Sequence, residues 1–388
     1  LNSIVNDLRF ALQRKALVNV YQLNQNVVYT GYVNIIDELG IVLTTFDDSG
    51  IEDGAVYLTF EAIEFVEFDS DDLDSMRFRI ENAQQSHFVS YGKLTSAFNL
   101  KRPLIRQVLE NAMVNESTIM VVERDSDKFY EGQVTRISDY DVDFQVFNKF
   151  DLHDKPKLTF DFADILLVEF EGKELTLQTV AMGVFENMPP VTTHQVESQT
   201  GIQEALQHAF ETNALVSLNP KADEGMFFVG RVNTLTNDMV LVNLVDMAGQ
   251  FGGYWLTKLS AIQQVITRSD YLQVVETFIS INQRVGVTKQ PGLNDERLFD
   301  PTTDLFSMIL GQSVALRRIV RIQLHDDQSI TGYLSRLDDK QFIFHQVEEG
   351  MIIDPLGTMF EIADVDEVAF DYMDAQLLEK ELRNQGEL

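Results

Sequence analysis

The chain contains no cysteine, which excludes disulfides, thiol nucleophiles and thiolate metal sites and leaves a reducing cytoplasm as the default location. Histidine is scarce as well. His87, His153, His194, His208, His325 and His345 show no paired ligand spacing and fall at no repeated position, so neither a metal ion nor a cofactor is expected. No run of apolar residues approaches the ~18–20 that a membrane-spanning helix needs. The N-terminus also lacks the basic-then-apolar layout of a secretory signal, so a soluble chain with no membrane partner is expected. Basic side chains number 30 against 61 acidic ones, a formal net charge of −31. That excess repels nucleic-acid backbones and anionic lipid surfaces.

The motifs of common enzymes are missing too. There is no Gly-x-Ser-x-Gly elbow, phosphate-binding loop or dinucleotide glycine pattern, and the glycines at 249, 252 and 253 lack the lysine and strand context of a phosphate loop. Asp125 and Asp127 with Gly132 look like part of a calcium loop, but Arg136 stands where the bidentate glutamate belongs. Two acid-rich runs, Asp47, Asp48, Glu52 and Asp53, and Asp69, Asp71, Asp72 and Asp74, read as solvated loops. No enzymatic activity is expected; a metal-dependent hydrolase is the weakest of the alternatives, and metal analysis of the purified protein would detect it.

What the chain does contain is 388 residues, 45 % of them apolar, enough to build cores in two to four folding units and to exclude wholesale disorder. It also contains an internal repeat. Gly31, Gly132, Gly230 and Gly332 share one context, each followed after one residue by valine or leucine, at spacings of 101, 98 and 102 residues. A second marker, apolar-x-Ala/Asp-Ile/Val-x-x-Val, places Ile63, Ile165, Ile262 and Val365 at 32, 33, 32 and 33 residues after those glycines. Two markers that keep register through four copies define four modules.

Apolar residues at three- and four-residue steps predict a helix at the start of each module. They are Ile4, Leu8, Ala11 and Leu12; Ile105, Val108, Leu109 and Ala112; Ile202, Ala205, Leu206 and Phe210; and Leu305, Ile309 and Leu310. Pro103 suits a helix start, and Thr200 and Thr303 or Asp304 are candidate N-caps. Five short strands follow, the second carrying the repeat glycine, where a sheet that bends on itself needs a position without a Cβ. The expected fold class is therefore mainly β with α. Modules are expected at 1–76, 100–178, 200–276 and 302–388. The segments 77–99, 179–199 and 277–301 carry apolar residues such as Ile80, Val184 and Phe278, and read as ordered, partly extended linkers docked on the modules, with bends at Pro189-Pro190 and Pro291-Gly292.

This order and spacing resemble the Sm-like family, and within it the bacterial Hfq proteins, over about 65 residues four times. The match is clearest from Phe10 through Leu43, where Gly31-x-apolar-x-x-apolar-Asp37 follows a helix and a first strand. Asp338 repeats the aspartate six residues after its glycine, whereas Ser138 and Thr236 replace it in the middle modules. The resemblance implies four tandem Sm-like modules, each an N-terminal helix plus a five-stranded, strongly bent SH3-like barrel. It also implies that barrels join edge to edge through their fourth and fifth strands, within the chain or with further copies.

The resemblance further implies an RNA site, which the residues do not keep. The Tyr-Lys-His triplet that lines the Hfq pore is replaced by Thr59-Phe60-Glu61, Asp161-Phe162-Ala163, Lys258-Leu259-Ser260 and Glu361-Ile362-Ala363. The remaining rim candidates for RNA or partner contact are Arg14 and Lys15 after the first helix, and Arg317, Arg318, Arg321 and Arg336 around the start of module four. Each also suits a plain role in charge pairing. Tyr32, Tyr130 and Tyr333 beside the glycines could stack bases or simply cover the barrel. The reading favoured is a non-enzymatic scaffold that binds protein or itself through barrel edges; the alternative is an RNA-binding protein that uses a basic rim or distal face.

Overall fold

The structure, a computed structural model, describes residues 2–23, 25–124, 128–223, 225–325 and 328–388. Several turn residues between the first and second strands of the repeats, including 125–127 of the calcium-loop comparison, lie outside them. The chain forms two compact units, Leu1–Pro190 and Val191–Leu388. Both are mainly β with α, and every ladder between strands is antiparallel.

The first unit holds two rounds of one element order. Round one is α1 (Asn2–Arg14), β1 (Leu17–Gln22), β2 (Val28–Ile36), β3 (Gly40–Phe46), β4 (Glu52–Thr59), a 3₁₀ turn (Phe60–Ala62), β5 (Ile63–Glu67) and α2 (Asp71–Gln85). Round two is α3 (Leu104–Val114), β6 (Thr118–Glu123), β7 (Phe129–Ile137), β8 (Asp141–Val146), β9 (Lys157–Asp161), a 3₁₀ turn (Phe162–Asp164), β10 (Ile165–Phe170) and α4 (Lys173–Phe185).

The second unit repeats the pattern after a short extra strand, β11 (His194–Val196). Round three is α5 (Gln199–Thr212), β12 (Leu215–Pro220), β13 (Phe228–Leu235), β14 (Met239–Val245), β15 (Phe251–Lys258), a 3₁₀ turn (Leu259–Ala261), β16 (Ile262–Arg268) and α6 (Asp270–Val285). Round four is α7 (Leu305–Leu316), β17 (Val320–Leu324), β18 (Ser329–Leu337), β19 (Gln341–Glu348), a two-residue β20 (Met351–Ile352), β21 (Thr358–Glu361), a 3₁₀ turn (Ile362–Asp364), β22 (Val365–Phe370) and α8 (Met373–Gln385).

Within every repeat the fifth strand pairs the first, and the order then runs first, second, third, fourth. The second and third strands carry a β-bulge at the same place each time, between Val33 and Ile35, Val134 and Arg136, Val232 and Thr234, and Leu334 and Arg336. A bulge bends its strand and raises the local twist. Two residues before each bulged pair lies the repeat glycine. A Cβ on Gly31, Gly132, Gly230 or Gly332 would sit 1.9, 2.1, 2.4 or 1.9 Å from a carbonyl oxygen of the third strand, which no side chain tolerates. Ile63, Ile165, Ile262 and Val365 open the fifth strands and are buried in the cores.

The leading helices cover these sheets with the apolar residues that periodicity singled out: Leu8 and Ala11, Val108 and Leu109, Ile202 and Leu206, and Ile309 and Leu310 are all buried. Phe210 departs from that reading and is 45 % exposed. Ser198, not Thr200, caps α5 by accepting the Gly201 N–H at 3.2 Å, and Asp304 caps α7 by accepting the Phe306 N–H at 3.2 Å.

The segments read as linkers differ more. Each repeat ends in a second helix, and in the first three it crosses the boundary placed at residue 76, 178 or 276, so only the part beyond the helix is non-helical. The acid run Asp71, Asp72 and Asp74 is the first turn of α2, where carboxylates complement the helix dipole, and Ser70 caps it by accepting the Leu73 N–H at 3.3 Å. Leu73, Met76 and Ile80 then cover Leu17, just as Leu272, Val275 and Ile279 of α6 cover Leu215.

Candidate functional site

The four 3₁₀ turns sit where the resemblance implied a pore triplet. Each is tied to the turn between the second and third strands: Phe60, Phe162, Leu259 and Ile362 donate backbone N–H groups to the carbonyls of Leu39, Tyr140, Asp238 and Lys340 at 2.8–3.0 Å. Phe60 and Leu259 are buried. The bases nearby are engaged. Arg124 pairs Glu61 of the first turn at 2.7 Å and donates to the Ala163 carbonyl of the second at 3.2 Å. Lys258 donates to the Ala363 carbonyl at 3.0 Å and pairs Asp366 at 3.1 Å. The turns are thus tied together in pairs, each by one cation.

In both units the two repeats meet along one seam. The fourth strand of the leading repeat pairs the fifth strand of the following one, β4 with β10 (Tyr57 opposite Val168) and β15 with β22 (Leu256 opposite Val368). Each seam holds a sequestered carboxylate bonded by an aromatic donor from across it. The Tyr29 hydroxyl donates to Glu169 at 2.7 Å, and the Trp255 indole N–H donates to Glu367 at 3.0 Å. Burial pushes both carboxyls above the usual range, Glu367 to about 7.

A strap from the post-helix segment crosses each seam. In the first unit Glu52 accepts the Leu94 N–H at 3.0 Å, and Glu171 accepts from Thr95 and Ser96. In the second, Arg297 lies 4.9 Å from the Phe299 ring and 5.3 Å from Phe370, and pairs Asp371. Glu171 and Asp371 both sit at the strand-to-helix corner with φ of 57° and 52°.

Among the described residues, β5, β9 and β21 pair on one side only. The fifth strand of repeat three, β16, is covered by β11, with Val196 opposite Val265 and the His194 ring 2.8 Å from the Thr267 hydroxyl. Phe65 on β5 is 44 % exposed and Met359 on β21 is 60 % exposed, so these edges offer apolar side chains beside unpaired backbone.

Of the rim residues, Arg14 and Lys15 belong to the first unit and Arg317, Arg318, Arg321 and Arg336 to the second. Arg14 ends α1 with its guanidinium 5.7 Å from the Phe10 ring, and Lys15 follows it at φ 49°. In the second unit Arg317 is the left-handed C-cap of α7, and Arg318 is bound by Glu379 at 2.9 Å and Asp371 at 3.6 Å. Arg321 lines a cavity at the seam. Arg336 projects from β18 next to the bulge, where its register partner is Ile343; the equivalent Arg136 faces Asp143 and pairs it at 2.5 Å. Tyr32, Tyr130 and Tyr333 are half-buried against Phe46, Phe160 and His345.

In the first acid run, Asp47 has a structural role. Asp47 accepts the Ser49 and Ile51 N–H groups at 2.9 Å, and burial pushes its carboxyl up to about 6. Among the described residues no three carboxylates or histidines are placed to share a metal ion, and no helix is long and apolar enough to cross a membrane. No protein-family model and no curated protein matches the chain.

The Trp255–Glu367 pair and the bridging Arg124 and Lys258 escaped the sequence reading. The one signal that could have drawn attention to the first is that Trp255 is the sole tryptophan of the chain.

Proposed function

We propose that the chain is a non-enzymatic scaffold of four Sm-like modules, each a helix on a bent SH3-like barrel, that binds protein partners or further copies of itself through barrel edges. One observation carries the reading. The chain twice satisfies a fourth-strand edge with a fifth strand, at β4–β10 and β15–β22, and leaves edges of the same two kinds bare at β9, β21 and β5. A bare edge is a template for another strand. Tandem linkage raises the effective concentration of the inner pairings, so only the outer edges are left for other chains.

The charge of −31 and the engagement of Arg318 by two carboxylates favour this over the RNA reading. The test is sedimentation of the full chain against its Thr159→Pro variant, which removes a backbone donor from β9. The wild type is expected to sediment as concentration-dependent assemblies and the variant to lose them. A wild type that stays monomeric at every concentration overturns self-association. Gel shifts with uridine-rich and adenine-rich RNA are expected to show no binding even at low salt. Salt-sensitive binding lost on replacing Arg317, Arg318 and Arg321 would favour the RNA reading instead.

A further inference from the structure

At the seam of the second unit, β13 and β15 of repeat three and β17 and β22 of repeat four enclose a cavity of about 190 Å³. That is below the ~300–1,000 Å³ of pockets for drug-sized molecules, so an occupant has to be small. One wall is apolar: the Phe228 and Trp255 rings lie 4.7 Å apart and tilted by 39°, with Met226 beside them. The lining also carries Arg321, Gln323 and Glu367.

Neither Arg321 nor Glu367 forms an ion pair with a charged side chain among the described residues. Glu367 is 8 % exposed and accepts the Trp255 N–H, but among the described residues no lysine or arginine forms an ion pair with it. Arg321 likewise pairs no carboxylate among the described residues; its guanidinium lies 6.0 Å from the Tyr372 ring. An acid and a base thus line one cavity with no direct ion pair between them. Arg321 is half-buried, and burying the carboxylate of Glu367 is costly unless something compensates it.

The first unit shows the inexpensive alternative. Ile119 opposite Gly132 and Val320 opposite Gly332 fix the register, which puts Met120 in the place of Arg321 and Val122 in that of Gln323. The seam ladders likewise put Leu167 in the place of Glu367. Met120, Val122 and Leu167 all pack into the core of repeat one. Apolar side chains close that seam, whereas an arginine, a glutamine and a glutamate open the other.

We infer that the cavity of the second unit binds a small zwitterion with an apolar side chain, namely a free α-amino acid. The ligand carboxylate meets the planar guanidinium of Arg321, its ammonium meets Glu367, and its side chain lies on Phe228, Trp255 and Met226. The pair that the protein leaves open is closed by the ligand.

The proton chemistry follows the same geometry. Burial holds the Glu367 carboxyl up to about 7, opposed by the Trp255 and Thr257 donors and the positive Arg321, and raised further by Asp366. Asp366 is itself held by Lys258 at 3.1 Å and by His325 at 2.5 Å, and Asp223 is the other acid on the cavity wall. A ligand ammonium favours the ionised Glu367, so affinity rises with pH through 7.

The sole tryptophan is a built-in reporter. Titration of the full chain at alkaline pH with L-leucine and L-methionine is expected to give a saturable change in Trp255 fluorescence. 4-Methylpentanoate, which lacks the ammonium, and L-leucinamide, which lacks the carboxylate, are expected to bind at least about tenfold more weakly. The double variant Arg321→Met, Glu367→Leu copies the first unit and should keep its melting transition while losing the response. If it fails to fold, the isosteric Glu367→Gln should lose binding at least about tenfold, with leucine binding read by calorimetry. No saturable response to either amino acid, equal binding of a singly charged analogue, or binding of adenosine in their place each overturns the assignment.

Discussion

Six residues after each repeat glycine stands Asp37, Ser138, Thr236 or Asp338, and all four side chains share one job, Asp37 also accepting the Leu104 N–H at 2.8 Å. The carboxylates of Asp37 and Asp338 and the hydroxyls of Ser138 and Thr236 each accept two backbone N–H groups at 2.8–3.4 Å, closing the turn between the second and third strands. What the position requires is a short side-chain oxygen, and a hydroxyl meets that need as an aspartate does. The substitutions in the middle repeats therefore leave the turn intact. Buried acids make a different demand. The Glu367 carboxyl has its ordinary value of 4.5 raised to about 7, so the folded state holds its proton more tightly than the unfolded chain. Its stabilising contribution is full below about pH 4.5 and is lost as pH rises through 7. Urea unfolding at a series of pH values should show the wild type losing roughly 3 kcal/mol more than Glu367→Gln across that window. Equal slopes for the two proteins would remove Glu367 as the cause.

At the scale of elements, the glycine strand and the trailing helix teach opposite lessons. Gly31 was legible because its environment recurs four times, and the structure supplies the reason: a Cβ there would lie 1.9 Å from the Thr44 carbonyl oxygen. Gly31→Ala should destabilise by about 3 kcal/mol or more in denaturant unfolding, because a strand ladder has to move. Gly183→Ala, exposed in α4 with nothing within 4 Å of its Cβ, should instead stabilise by roughly 0.5–1 kcal/mol. The trailing helices were not legible. Asp71, Asp72 and Asp74 open α2 with three acids, and α4 has apolar residues on all sides, Val180 and Val184 being 65 % and 48 % exposed. Neither shows the single clean stripe that marks a helix. The helical state of α2 is secured by a cap at Ser70 and by docking of Leu73 and Met76 on the first strand, which are contacts the local pattern does not record.

At the scale of the molecule, each unit owns its cores. The clusters around Leu8, Val108 and Leu73 draw only on the first unit, and those around Leu310, Leu206 and Val275 only on the second. Residues 1–190 and 191–388 should therefore each fold and unfold cooperatively when expressed alone, as judged by near-ultraviolet circular dichroism and denaturant titration. Residues 191–286, a single repeat, should not, because Tyr254 stacks on Phe370 at 5.3 Å and Trp255 bonds Glu367, both in the repeat that is removed. A well-folded single repeat would show that the seam is not a stability element.

The amino-acid order by itself set the register of four repeats, the leading helices with their buried faces, and the glycine and isoleucine or valine positions of the sheets. Those features arise from interactions a few residues apart, or from exclusion of any side chain at one point, so they leave a periodic trace. Only the tertiary structure decided which fourth strand meets which fifth, β4 with β10 and β15 with β22, that β11 covers β16, and that Arg321 and Glu367 share a cavity which Met120 and Leu167 close in the other unit. Strand pairing across a hundred residues is chosen by which edges lie free once the local pieces have formed, and a backbone edge carries the same donors and acceptors whatever its side chains are.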